Sequence, residues 1–138
     1  MGGQFLSPLD IRDTERENEE GRALWFLLAL FGYKTESGAV IWVPPRFITD
    51  FGSIPRLFWR FESPIGRSRR AAVIHDWLYA SGLYPREDAD KIFLEAMKAC
   101  GVPKIKRELM YQAVRTFGAK GYMRPEEHKR ALELSFYG

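Results

Sequence analysis

The residues Gly82-Leu83-Tyr84-Pro85 interrupt a helical pattern that otherwise runs from Arg67 to Cys100. Before the break, Ala71, Ala72, Ile74, Trp77, Leu78 and Tyr79 form an apolar stripe, and Gly82 closes it as a C-terminal cap would. After it, Pro85 suits the first turn of a new helix. Ala89, Ile92, Phe93, Ala96, Met97 and Cys100 then recur at helical spacing until Gly101 stops the pattern. A connection this short makes the two helices antiparallel neighbours. The pair carries ionisable residues along with its apolar ones: His75 and Asp76 in the first helix, Asp88 and Asp90 early in the second.

The rest of the chain divides around this pair. Phe5 to Thr14 supplies one short strand, and Glu15–Gly21 reads as a charged loop. The segment from Ala23 to Lys34 admits a helix by its Leu and Ala content. The polar tetrad Thr35-Glu36-Ser37-Gly38 and the strand-like Ala39–Val43 argue instead for an antiparallel hairpin over 23–43 with a buried first strand. Pro44-Pro45 ends the second strand because neither residue has an amide hydrogen. Residues 46–66 form an ordered aromatic loop, with a short helical turn around Arg56–Arg60. Pro103 opens a third helix, with Ile105, Leu109, Ala113 and Phe117 along one face, and Glu126 to Leu134 offers a fourth. The expectation is an α+β fold in a single domain over 1–138. It has a small N-terminal antiparallel β-hairpin or sheet (1–45), the aromatic loop (46–66), and a three- to four-helix segment (67–138).

Composition narrows the function. One cysteine among 138 residues excludes an internal disulfide framework and a cysteine-rich zinc site, and Cys100 reads as a small buried hydrophobe. The most apolar run, Ala23–Phe31, has about half the length of a spanning helix. The start, MGGQFLSPL, lacks the basic leader and long apolar stretch of a signal peptide. With 21 Lys and Arg against 18 Asp and Glu, the formal charge is +3. The basic runs Arg67–Arg70 and Lys104–Arg107 come with no recognised nucleic-acid motif.

The chemistry centres on the helix pair. His75 and Tyr79, four residues apart, share a face, and Asp76 points about 100° round from it. If the second helix turns Asp90 to that face, its carboxylate reaches the far ring nitrogen of His75 and fixes the tautomer. The other nitrogen is then left to take a proton from water or a hydroxyl. Asp88 is the reserve for this role. Asp76 aims at the loop Thr49-Asp50-Phe51-Gly52-Ser53-Ile54-Pro55. There, Asp50, Gly52 and backbone carbonyls make oxygen-only coordination of calcium, or less readily magnesium, the expected metal chemistry. Zinc fits poorly with two histidines in the chain. Phe51, Phe58, Trp59 and Phe61 are the expected apolar groove. The opposing reading stays open: His75 and the aspartates form a buried network that only fixes helix packing, with Asp88 favoured by the helix dipole. Whether His75 is reachable separates the two.

Two resemblances bear on the choice. Val43–Arg56 (VPPRFITDFGSIPR), Ala71–Tyr79 (AAVIHDWLY), Ala89–Met97 (ADKIFLEAM), Met110–Arg115 and Phe117-Gly118 closely resemble short uncharacterised proteins of tailed bacteriophages and prophages, domain-of-unknown-function family 1353. That likeness implies expression in a bacterial host cytoplasm during phage growth, or incorporation into the virion. Within residues 64–100, His75-Asp76-x-x-Tyr79 followed by Asp90-x-x-Phe93 resembles the catalytic helix pair of secreted phospholipases A2, and Ser63-Pro64-Ile65-Gly66 is similar to the approach that precedes it. The second likeness implies that His75 is the general base, Asp90 its orienting partner, Tyr79 a support and Asp76 the calcium ligand, acting on a lipid or other ester. The alternative is a noncatalytic virion (tail-associated) or lysis-module accessory protein that works through contacts with phage proteins.

Overall fold

The computed structural model describes residues 2–19, 21–54 and 66–122. The expected turn at Arg56–Arg60, the ring cluster Phe58, Trp59 and Phe61, the residues Ser63-Pro64-Ile65 and the helix from Glu126 lie outside these. The described residues form an α+β fold, with antiparallel strands first and three helices after them.

The strands are β1 (Gln4–Phe5), β2 (Ile11–Glu17), β3 (Ala23–Leu27), β4 (Phe31–Lys34), β5 (Val40–Val43) and β6 (Ile48–Thr49). They form two three-stranded sheets, ordered β1-β4-β5 and β2-β3-β6. The hairpin expected over 23–43 exists only in its second part, where β4 and β5 pair from Phe31 opposite Val43 to Lys34 opposite Val40. Its turn is the polar tetrad. Thr35 closes it with backbone bonds to Ala39 and Gly38, and Gly38 takes a left-handed φ of 95°. The apolar run does not continue as one strand. After Leu27 it bends, so that β3 pairs with β2 and β6 while Leu28 and Leu30 face solvent. The bend is anchored on both sides. The Leu27 amide donates to Phe47 O, and the Leu28 amide donates to Asp10 O. The charged stretch from Glu15 is likewise no loop at first. Strand β2 runs to Glu17 through a bulge, with Glu15 at φ 62°.

The hairpin owes its close pairing to Gly32, which lies opposite Trp42. A Cβ at Gly32 would come within 2.4 Å of the indole ring. The Tyr33 hydroxyl bonds Glu95 and the Glu36 amide donates to the same carboxylate at 2.8 Å, which ties the hairpin to the second helix.

Helices α1 (Arg69–Ser81), α2 (Arg86–Ala99) and α3 (Lys104–Phe117) follow, with a 3-10 turn at Gly118–Gly121. Gly82 ends α1 at φ 63° with its amide on Leu78 O, as the cap signal implied. After α2, the Val102 amide reaches back to Met97 O across Gly101 at φ 79°, a Schellman closure. Ala71, Ala72, Ile74, Leu78, Ala89, Phe93, Ala96 and Met97 are buried, joined by Leu27, Phe31, Tyr33 and Val43 from the strands. Helix α3 turns Met110 and Val114 inward. The stripe read from its sequence faces outward instead, with Ile105, Leu109 and Phe117 exposed.

The break after Leu27 makes a sharp expectation. Leu27→Ala should cost about 2–5 kcal/mol, whereas its neighbour Leu28→Ala should stay within about 0.5 kcal/mol. Urea unfolding of the two variants reads the difference, and equal costs would contradict the bend.

Candidate active site

Most residues of helix α1 are buried, His75 among them at 1% exposure. The His75 ring packs against Phe93 of α2 and Tyr79, with ring centroids 4.5 and 4.1 Å away. Both ring nitrogens are met by polar atoms. Nε2 lies 2.7 Å from Asp90 Oδ1, and Nδ1 lies 2.5 Å from Ser53 Oγ. The short α1–α2 turn thus brings Asp90 to the face of His75 and Tyr79, while Asp88, two residues earlier, is exposed on the other side of the helix.

Asp90 is fully buried and gathers donors on both oxygens. Oδ1 also accepts the Tyr79 hydroxyl at 2.5 Å. Oδ2 accepts Arg115 Nη1 from α3 at 2.7 Å and lies 3.8 Å from Arg86 Nη1. Burial alone would raise this acid. The hydrogen bonds from His75, Tyr79 and Arg115 outweigh it and hold the carboxyl below its ordinary range. Burial, then the bond to Asp90, pushes the Tyr79 phenol up, so it stays a donor. Because an ionised Asp90 has no proton to give, Nε2 carries the ring proton. In a ring that carries one proton, Nδ1 is then the acceptor, and it faces Ser53.

Asp76 faces the loop, as expected, and meets hydroxyls there. Its Oδ2 accepts Thr49 Oγ1 and its Oδ1 accepts Ser53 Oγ, each at 2.5 Å. Burial, then the nearby Asp50 carboxylate, raises the pKa of Asp76 despite those bonds. Ser53 has a single proton for His75 and Asp76. The hydroxyl therefore donates to one of the two at a time, and the geometry points it at Asp76 Oδ1 with Nδ1 as the second acceptor.

The ligand set expected for calcium does not assemble. Asp50 spends its oxygens on Asn18 Nδ2 and the Gly52 amide, both at 2.7 Å. The Phe51 and Ile54 carbonyls turn to the buried Arg22 guanidinium, at 3.4 and 3.2 Å. The cation that this loop closes around is an arginine. Among the described residues no group of three or more His, Cys, Asp or Glu could hold a metal ion. The oxygens of Asp76, Asp50 and the loop are engaged by protein donors, and they do not fit a calcium cage.

Ser53, His75, Asp76 and Tyr79 line a cleft of about 650 Å³. Its apolar lining is Leu24, Phe47, Ile48, Val114 and Phe117, with Asn18 and Lys120 adding polar groups. Phe51, expected in this lining, is buried in the core instead. Sequence reasoning missed Arg115, Arg22 and the hydroxyls of Thr49 and Ser53. Only Arg86 carried a local signal, standing four residues before Asp90 on one helix.

Strands packed on a helix pair, with a buried histidine–aspartate couple at the edge of a cleft, define the class: a small α+β domain with a preorganised polar site. The chain belongs to the family described as protein of unknown function (DUF1353), which matches residues 25–114. That span holds Thr49, Ser53, His75, Asp76, Tyr79 and Asp90, and Arg115 follows it directly. The chain is similar to two uncharacterized proteins of Sinorhizobium fredii (strain NBRC 101917 / NGR234). It is 35% identical to y4iH over 104 residues, 73% of this chain and 44% of that protein. It is 34% identical to y4jT over 102 residues, 70% of this chain and 30% of that one. The chain therefore spans less than half the length of these curated relatives. No solved structure matches it.

The two buried acids should respond to pH in opposite senses. Asp90, lowered by folding, contributes stability above the ordinary carboxylate value of 3.8, and this is lost as pH falls through its folded pKa. Asp90→Ala should cost about 3–5 kcal/mol at neutral pH, with the gap to wild type narrowing in acid. Asp76, raised by folding, opposes stability as pH rises from 3.8 through its folded pKa, so Asp76→Asn should be neutral or stabilising at neutral pH. Unfolding curves across pH test both signs. For the metal, EDTA should leave Tm unchanged and a calcium titration should show no saturation. A calcium-dependent rise in Tm would reverse that assignment.

Proposed function

We propose that this protein is a small hydrolase of ester bonds in which His75, oriented by Asp90, is the general base. The observation that carries the reading is the placement of the His75 ring. One nitrogen is fixed by an ionised carboxylate at 2.7 Å, and the other faces a hydroxyl on the wall of a cleft. A neutral imidazole held this way accepts a proton at Nδ1, and Asp90 stabilises the positive charge that results. Tyr79 and Arg115 keep Asp90 ionised and in place. The apolar residues of the cleft suit a substrate with a hydrocarbon portion. The likeness of His75-Asp76-x-x-Tyr79 and Asp90 to the phospholipase A2 helix pair makes lipid esters the first substrate class to test. The likeness to phage and prophage proteins supports a phage or prophage origin and work inside an infected or lysogenic bacterium. No described helix is long and apolar enough to cross a membrane.

One observation favours a second reading. His75 is almost wholly buried with both nitrogens satisfied, as a packing network requires. Under it the protein is a noncatalytic virion or lysis accessory that binds phage proteins, through exposed residues such as Val40, Trp42 and Ile48.

Turnover of p-nitrophenyl butyrate and of phospholipid vesicles separates the readings. His75→Ala should lower kcat by about 10²–10⁴-fold while circular dichroism stays native. A folded wild type with no turnover dependent on His75 would leave the accessory reading.

A further inference from the structure

We infer that Ser53 is the nucleophile of this site, so that hydrolysis passes through an acyl-enzyme rather than direct attack by water. The inference rests on the hydrolase reading above. It asks what the hydroxyl that faces His75 is for. The hydroxyl 2.5 Å from Nδ1 of His75 belongs to the protein and occupies the position from which the base would take its proton. Ser53, His75 and Asp90 form an unbroken row, with contacts of 2.5 and 2.7 Å across one ring. This is the connectivity that activates a serine, with the two ring nitrogens exchanged relative to the usual serine–histidine–aspartate order.

The surroundings hold Ser53 in that role. The Ile54 amide donates to Phe51 O at 2.9 Å, and Phe51 itself has a left-handed φ of 54° with its ring buried, so a tight turn presents the serine. Ser53 Oγ also donates to Asp76 Oδ1 at 2.5 Å, which fixes the hydroxyl from a second direction, and its proton turns from that carboxylate to Nδ1 when the base takes it. Ser53 is 5% exposed, and what it exposes lines the cleft that Lys120 also lines.

The step balances without a metal or other co-reactant. Ser53 Oγ bonds to the ester carbonyl carbon as its proton moves to His75 Nδ1. The C–O bond to the alcohol breaks, and the departing oxygen takes that proton. Water then attacks the acyl-serine, gives a proton to Nδ1 and releases the acid as the proton returns to Ser53 Oγ.

The test uses the whole chain and a fluorophosphonate, which phosphonylates activated serines. Intact-mass spectrometry should show one adduct, and peptide mapping should place it on Ser53. The adduct should vanish in Ser53→Ala and form at least tenfold more slowly in His75→Ala. Ser53→Cys guards against a folding artefact, since it keeps the size of the side chain and should accumulate a thioester with p-nitrophenyl butyrate. Wild-type turnover that depends on His75, survives in Ser53→Ala and gives no adduct would overturn the nucleophile while sparing the hydrolase. A folded wild type with neither adduct nor turnover would overturn both.

Discussion

A carboxylate with no exposed surface must be compensated where it stands, and Asp90 takes a partner from every helix described. His75 and Tyr79 come from α1, Arg86 from its own helix and Arg115 from α3. Moving such a charge out of water costs several kcal/mol, which only well-aligned hydrogen bonds recover. Apolar faces tolerate small slips between helices, but these bonds weaken steeply as their angles open. The register of the three helices is therefore set by one acid inside an apolar interface built from Ala89, Phe93 and Ile74. Arg86 adds a second tie. Its guanidinium also bonds the Val114 and Arg115 carbonyls at the end of α3.

Arg22 has the matching role at the strand end. Its buried guanidinium draws in the Phe51 and Ile54 carbonyls, and Asn18 secures Asp50 from the same connection. Three of the six cations in the basic runs also contact the protein. Arg70 lies over the Phe5 ring at 4.7 Å, Arg67 reaches Gly101 O, and Arg107 donates to Val102 O at 3.0 Å. These three cations are committed to helix ends and an aromatic ring.

The helix pair was legible because each of its signals is local. Gly82, Pro85 and Gly101 act on their own turns, and the periodicity of the apolar residues needs no knowledge of the rest. The approach of Asp90 to His75 followed from that geometry. The bend after Leu27 was not legible, because nothing in an apolar run marks where it leaves one sheet for another. Pairing with β2 and with Phe47 decides it. The outward stripe of α3 misled for a related reason. Periodicity finds a face but not the side on which the core lies, and Met110 and Val114 made the inward face with fewer apolar residues. Arg115 and Arg22 stand far from their partners in sequence, so only the folded chain brings them together. Asp50 and Gly52 suggested a metal loop, yet in the fold they bond to each other.

Phe51 shows what this division of labour means for the integrity of the molecule. A bulky residue adopts a left-handed backbone at a cost of about 1–3 kcal/mol, and here its ring is pinned in the core 6.4 Å from that of Trp25 in β3. The loop that carries Ser53 is thus shaped by a strand, while the histidine that it meets is shaped by three helices. Neither half owns the contact. Severed from the strands, the helical half would keep its histidine, its aspartate and its arginines, with only water at the open nitrogen. A lesion that merely loosened the sheet would disarm the centre without touching one of its ionisable groups.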